Sequence, residues 1–150
     1  MREHNGKIYV EEKPHDFSEL KEIVTILRSP NGCSWDREQT FDSMKECLTN
    51  ESNEVISAID KKDYENLKEE LGDVLLQVLL NAEIASEMGL FNFDDVVQTL
   101  SEKLIRRHPH VFGDIKPPET PEEALALWRS VKEKEKKRKA LKKEIKTNDF

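Results

Sequence analysis

At 150 residues the chain fits one domain of ordinary size, with 36% apolar against 37% charged residues and a net charge of −7. Six Pro and five Gly are too few for the turns of a strand-rich protein, so composition sets an all-α expectation. Residues 132–146 hold nine Lys/Arg against three Glu, which leaves −13 on the rest, and so acidic a body excludes general binding to duplex nucleic acid.

Residues 1–15 show no sustained period and read as a mobile or strand-like extension, and their charges exclude the apolar region of a signal peptide. Phe17, Leu20, Ile23, Val24 and Leu27 recur at helical spacing, and Ser29-Pro30-Asn31-Gly32 stops that helix. A loop through Cys33-Ser34-Trp35-Asp36 follows. Cys33 and Cys47 form no CxxC pair and read as reduced thiols of a cytoplasmic protein. Thr40 is placed to cap a second helix running to about Lys61, with Phe41, Met44, Cys47, Leu48, Val55, Ala58 and Ile59 as its apolar stripe. Asp63 can cap a third helix that ends near Gly89, and its middle, residues 74–80, is apolar nearly all round and suited to the centre of a bundle.

Asn92 with Asp95 has capping-box spacing, and Phe91 with Val96 has staple spacing, so a fourth helix begins there and must stop before Pro109. Thr120-Pro121-Glu122-Glu123 opens the last helix, which carries Ala124, Leu125, Leu127, Trp128 and Val131. From Lys132 onward apolar residues nearly vanish, so residues 132–150 either project as a charged helix or fray, and their interleaved Glu residues suit a solvated helix end. No apolar run reaches membrane-spanning length. The expected layout is an extension over 1–15, a helical domain over 16–131 and a charged tail over 132–150.

Four acids stand out against this pattern. Advancing about 100° per residue puts Glu51 near the centre of the second helix's apolar stripe, and Glu54 lies one turn on. Glu70 and Asp73 repeat the spacing on the third helix, where Gln77 and Asn81 extend the polar line. The short link Lys61-Lys62-Asp63 makes the two helices an antiparallel hairpin, which brings the acidic pairs opposite each other. Four carboxylates so placed either line a solvated groove, pair with Lys and Arg across the bundle, or hold a divalent cation. Mutual repulsion favours the cation, and an all-oxygen set without Cys or His selects Mg²⁺, with Mn²⁺ as a substitute.

These residues resemble the MazG-type nucleoside triphosphate pyrophosphohydrolases, whose mark is an ExxE pair followed by an ExxD pair. The likeness extends from Leu27 to Asp114, through Cys33-Ser34-Trp35-Asp36, Glu69-Glu70-Leu71-Gly72-Asp73 and the string from Lys103 to Asp114. It implies an all-α bundle of about five helices, with a four-helix core assembled with a partner in a homodimer. It also implies Mg²⁺-dependent cleavage of nucleoside triphosphates between the α and β phosphates, in the service of nucleotide-pool cleaning. Glu51, Glu54, Glu70 and Asp73 would be the metal-binding and catalytic residues. Lys103, Arg106 and Arg107 would contact the triphosphate, although charge compensation at a helix C-terminus also accounts for them. Trp128 and Lys132 resemble positions that lie near the base and phosphates, although Trp128 is equally explained as core. His108 and His110 flank Pro109 in a turn and suit packing.

Three departures accompany the likeness. Asn50 replaces a common Glu, Ser34 replaces a frequent Pro, and one copy of the domain is present where longer members carry two. The alternatives are a narrow-substrate relative acting on a deoxynucleotide or phosphoribosyl-ATP, and a non-catalytic helical interaction module.

Overall fold

The computed structural model describes the backbone of residues 3–148 and side chains as far as residue 145, so residues 1–2 of the expected extension and 149–150 of the tail lie outside the described residues. The all-α expectation holds. Two short strands, β1 (Glu3–His4) and β2 (Lys7–Ile8), precede seven helices: α1 (Phe17–Arg28), α2 (Ser34–Glu38), α3 (Phe41–Lys61), α4 (Tyr64–Glu87), α5 (Phe93–Arg107), α6 (Pro109–Phe112) and α7 (Pro121–Asn148). Five are the long helices expected from periodicity. The other two correct the sequence reading, because the loop after Cys33 contains α2 and the turn at Pro109 is the single turn α6. Helices of five and four residues are too short for a 3.6-residue period to show.

The chain divides into two compact units, Met1–Phe93 and Asp94–Phe150. In the first, β1 and β2 pair antiparallel, with Glu3 opposite Ile8 and His4 opposite Lys7, through an Asn5-Gly6 turn in which both residues have positive φ. The following segment is tied to α1 by charge. Glu19 is buried, and its carboxylate accepts from Lys13 at 2.6 Å, meets His15 Nδ1 at 2.7 Å and lies 3.1 Å from Lys7 Nζ. Lys13, then His15 and Lys7, hold the Glu19 carboxyl down at about 2. A depressed carboxyl stabilises the fold above its ordinary range and loses that contribution as pH falls through the folded value. Glu19→Gln should therefore lose stability near pH 7 and show a shallower acid limb than the wild type between about pH 4.5 and 2. Circular dichroism against pH checks this.

Helix α1 starts on Asp16, whose side chain accepts from Glu19 N, and ends where Ser29 N bonds Ile26 O ahead of Pro30. Thr40 and Ser43 form a reciprocal capping box at the start of α3. At its end Lys62 takes the left-handed conformation at φ 55°, with Asp63 N bonded to Ala58 O, and Asp63 at once caps α4 through Asn66 N. A two-residue link of this kind returns the chain antiparallel, and α3 against α4 is the most extensive helix pairing. Because Lys62 has a Cβ in a conformation that suits glycine, Lys62→Gly should raise stability by about 0.5–1 kcal/mol, read as a higher midpoint in urea.

The core of this unit lies where α1, the start of α3, the second half of α4 and Phe93 meet. Val24, Met44, Leu79, Leu80 and Ile84 are buried, with Leu20, Phe41, Leu75, Leu76 and Phe93 packed around them. The middle of α4 is not buried all round in a single chain: Val78 is 40% exposed, and Leu71 on the same line is 53% exposed. Burial is concentrated on the side facing α1 and α3, and Gln77, expected on the polar line, is buried.

In the second unit, Thr120 Oγ1 accepts from Glu123 N and Glu123 Oε2 accepts from Glu119 N, so α7 begins on the expected signal. It continues to Asn148. Among the described residues, no helix is long and apolar enough to cross a membrane.

Candidate functional site

In an antiparallel hairpin, residues equally far from the link come opposite each other. Glu51 and Asp73, and likewise Glu54 and Glu70, stand symmetrically about Lys62. The structure brings one oxygen from each of Glu51, Glu70 and Asp73 within 4.8 Å of one another. Glu51 and Glu70 are half-buried, while Asp73 is exposed. Glu54 is exposed and stands outside this tight group, yet its charge is felt at Glu70. Burial, followed by the charges of Asp73, Glu54, Glu51 and Glu69, pushes the Glu70 carboxyl above its ordinary value.

The ion pairs of the described residues lie elsewhere. Lys7, Lys13, His15 and Arg28 pair with Glu19, Glu22 and Glu87, and no Lys or Arg closes on Glu51, Glu54, Glu70 or Asp73. Among the described residues, then, the four acids make no ion pair across the bundle, one of the sequence alternatives. Like charges held together by two packed helices fit a hard cation with oxygen ligands. One turn beyond Asp73, the buried Gln77 leaves its Oε1 without a hydrogen-bond partner. Its polarity was visible in the sequence, but its burial was not.

The other candidate residues belong to the second unit. Arg106 Nε donates to Glu135 Oε1 at 2.6 Å, and Arg107 donates to Glu135 Oε2 through its terminal nitrogen at 2.7 Å and through Nε at 3.1 Å. The Arg107 guanidinium carbon lies 5.2 Å from the Trp128 ring centroid, and Lys132 Nζ lies 5.0 Å from it. Lys103 is half-buried, with no ion pair among the described residues. Trp128 joins His108, His110, Ala124 and Leu125 around a groove of about 380 Å³. His108 Nδ1 sits 2.6 Å from Leu104 O, whereas His110 Nδ1 is buried without a partner.

Glu135 escaped the sequence reading. Within a basic run it looked like one more solvated acid, yet it stands four residues after Val131 and seven after Trp128, on the inward stripe of α7. The Arg107 and Arg106 guanidinium groups hold its carboxyl at about 2, with Arg107 the larger cause and burial opposing both.

The family described as the MazG nucleotide pyrophosphohydrolase domain matches residues 39–112. The chain is 53% identical over 123 residues, 82% of its length, to the nucleoside triphosphate pyrophosphohydrolase/pyrophosphatase MazG of Thermotoga maritima, of which it covers 46%. It is 43% identical over 127 residues, 84% of its length, to the nucleoside triphosphate pyrophosphohydrolase of Escherichia coli K12, of which it covers 48%. The chain thus spans about half the length of these curated relatives. Among solved structures it is similar to a mazG-related protein from Thermotoga maritima, with a TM-score of 0.64 and 32% identity, across 77% of this chain and 98% of that one.

Proposed function

The chain belongs to the MazG nucleotide pyrophosphohydrolase family, and on that premise we propose that it hydrolyses nucleoside triphosphates between the α and β phosphates to a monophosphate and pyrophosphate. The observation that supports this most is the group formed by Glu51, Glu70 and Asp73, three carboxylates within 4.8 Å that no basic side chain among the described residues neutralises.

In this reading Glu51, Glu54, Glu70 and Asp73 hold Mg²⁺, or Mn²⁺ in its place. Bound there, the ion would offset phosphate charge and make a water more acidic, as divalent ions do in other phosphoryl-transfer sites. Glu51, Glu70 and Asp73 fix the anionic seat through two packed helices, and Glu54 adds charge at its edge. Trp128 offers an aromatic face to a base, while Lys103 and Lys132 offer cationic charge to phosphates. Arg106 and Arg107 are engaged by Glu135, so their contribution to phosphate binding is shared with that pairing. The water oxygen, giving up its proton to solvent, forms the new bond to the α-phosphorus, the bond toward the β-phosphate breaks, and pyrophosphate leaves with the electron pair. No protein nucleophile is needed, and both free cysteines are left out of the reaction.

A homodimer belongs to the same proposal. On α3 and α4, Leu48, Ile56, Ile59, Tyr64, Leu71 and Val78 are all exposed in the single chain, an apolar surface suited to a second copy. Nucleotide-pool cleaning in the cytoplasm is the role this activity would serve. Pyrophosphate release from the four ribo- and four deoxynucleoside triphosphates, with Mg²⁺ and without, tests the reading. Broad Mg²⁺-dependent release supports it, one strong substrate moves the assignment to a narrow-substrate relative, and silence across the panel refutes catalysis.

A further inference from the structure

Along α7 the half-buried positions Ala124, Trp128, Val131 and Glu135 follow one another at helical spacing, so an acid stands where the next core residue would be. The Glu135 side chain is only 12% exposed, and two arginines of α5 close on it. Arg107 is the more enclosed of the two, at 15% side-chain exposure against 45% for Arg106. A guanidinium bound through two nitrogens is fixed in both position and plane, because its donors lie in a rigid fork. With Glu135 on one side, Arg107 is left against the Trp128 ring.

We propose that Glu135 is a positioning residue, which holds Arg107 against Trp128 and so keeps the Trp128 groove in the shape that receives the nucleotide. This rests on the reading given above, in which Trp128 contacts the substrate. One carboxylate between two guanidinium groups leaves the cluster positive, with Lys132 beside it, so anchoring Arg107 in this way does not repel an anionic ligand. Without Glu135, Arg106 and Arg107 would repel each other, and Arg107 would leave the indole.

The chain has two tryptophans, so Trp35→Phe makes Trp128 the sole indole of the full-length protein. In that background Glu135→Gln should increase acrylamide quenching of Trp128. It should also raise KM for a nucleoside triphosphate about tenfold, while kcat and the affinity for Mn²⁺ stay near the parent values. Glu135→Asp, which keeps the charge on a shorter arm, should recover part of both changes. Quenching and KM that remain at the parent values in Glu135→Gln overturn the proposal, as does a fall in kcat that merely follows a lost thermal transition. If the parent protein cleaves no triphosphate, the proposed reaction falls, whereas unaltered quenching in Glu135→Gln rejects the positioning role independently.

Discussion

Replacing Glu51 by Gln and Asp73 by Asn together should abolish Mn²⁺ binding and reduce pyrophosphate release by about 10³-fold or more, the scale on which an electrostatic stabiliser is lost from an active site. The amides keep the shape of the carboxylates, so the helical hairpin should still form, and only the charge that would hold the ion is removed. The effect on stability has the opposite sign. In the metal-free protein, burial and the neighbouring acids already push Glu70 above its ordinary value, so its ionised form works against the fold. A raised carboxyl costs stability at neutral pH, and that cost disappears as pH falls through the folded value. Glu70→Gln should therefore melt higher than the wild type near pH 7 without metal, and should lack the wild type's gain on acidification. Saturating Mg²⁺ should reverse the order. A ligand at one hundred times its Kd stabilises the folded state by about 2.7 kcal/mol, which in a chain of this size is roughly 5–10 °C. Thermal melts of both proteins, with Mg²⁺ and with a chelator, make the comparison. If Mg²⁺ raises the melting temperature of the double variant as much as that of the wild type, the four acids are not the metal site.

Arg28→Ala should destabilise the first unit by about 3 kcal/mol. The Arg28 side chain is 6% exposed and donates through Nε and a terminal nitrogen to the two oxygens of Glu87, each at 2.7 Å. Its other terminal nitrogen reaches Asp36 O at 2.5 Å and Gln39 O at 3.2 Å. One side chain thus joins the end of α1, the short α2, the segment entering α3 and the end of α4. Truncation leaves both carbonyls without this donor and opens a void where the guanidinium lay. Glu87 is 42% exposed and can turn to water, which keeps the loss below that of a fully buried ion pair left half-made. Glu87→Gln, which retains one acceptor, should lose clearly less. Urea unfolding of the two variants gives the comparison, and equal midpoints for Arg28→Ala and the wild type would show that Arg28 fastens nothing.

Much of the hairpin was legible before any coordinates. Thr40, Asp63 and Thr120 cap helices where their residue types favour capping, and Gly89 follows α4 with positive φ. Glu51 and Glu70 were conspicuous because an acid interrupted an apolar stripe. The seam between α3 and α4 was readable for the same reason: a two-residue link leaves a returning helix few registers.

The sequence by itself determined the long helices, their order and the opposition of the two acidic pairs, because caps, breakers and periodicity act over a few residues. Only the tertiary structure decided which acids come close, that Gln77 is buried, that Val78 is left exposed and that Glu135 takes both arginines of α5. Those outcomes depend on the rotation of one helix against another and on side chains some thirty positions apart, and local pattern carries no record of either.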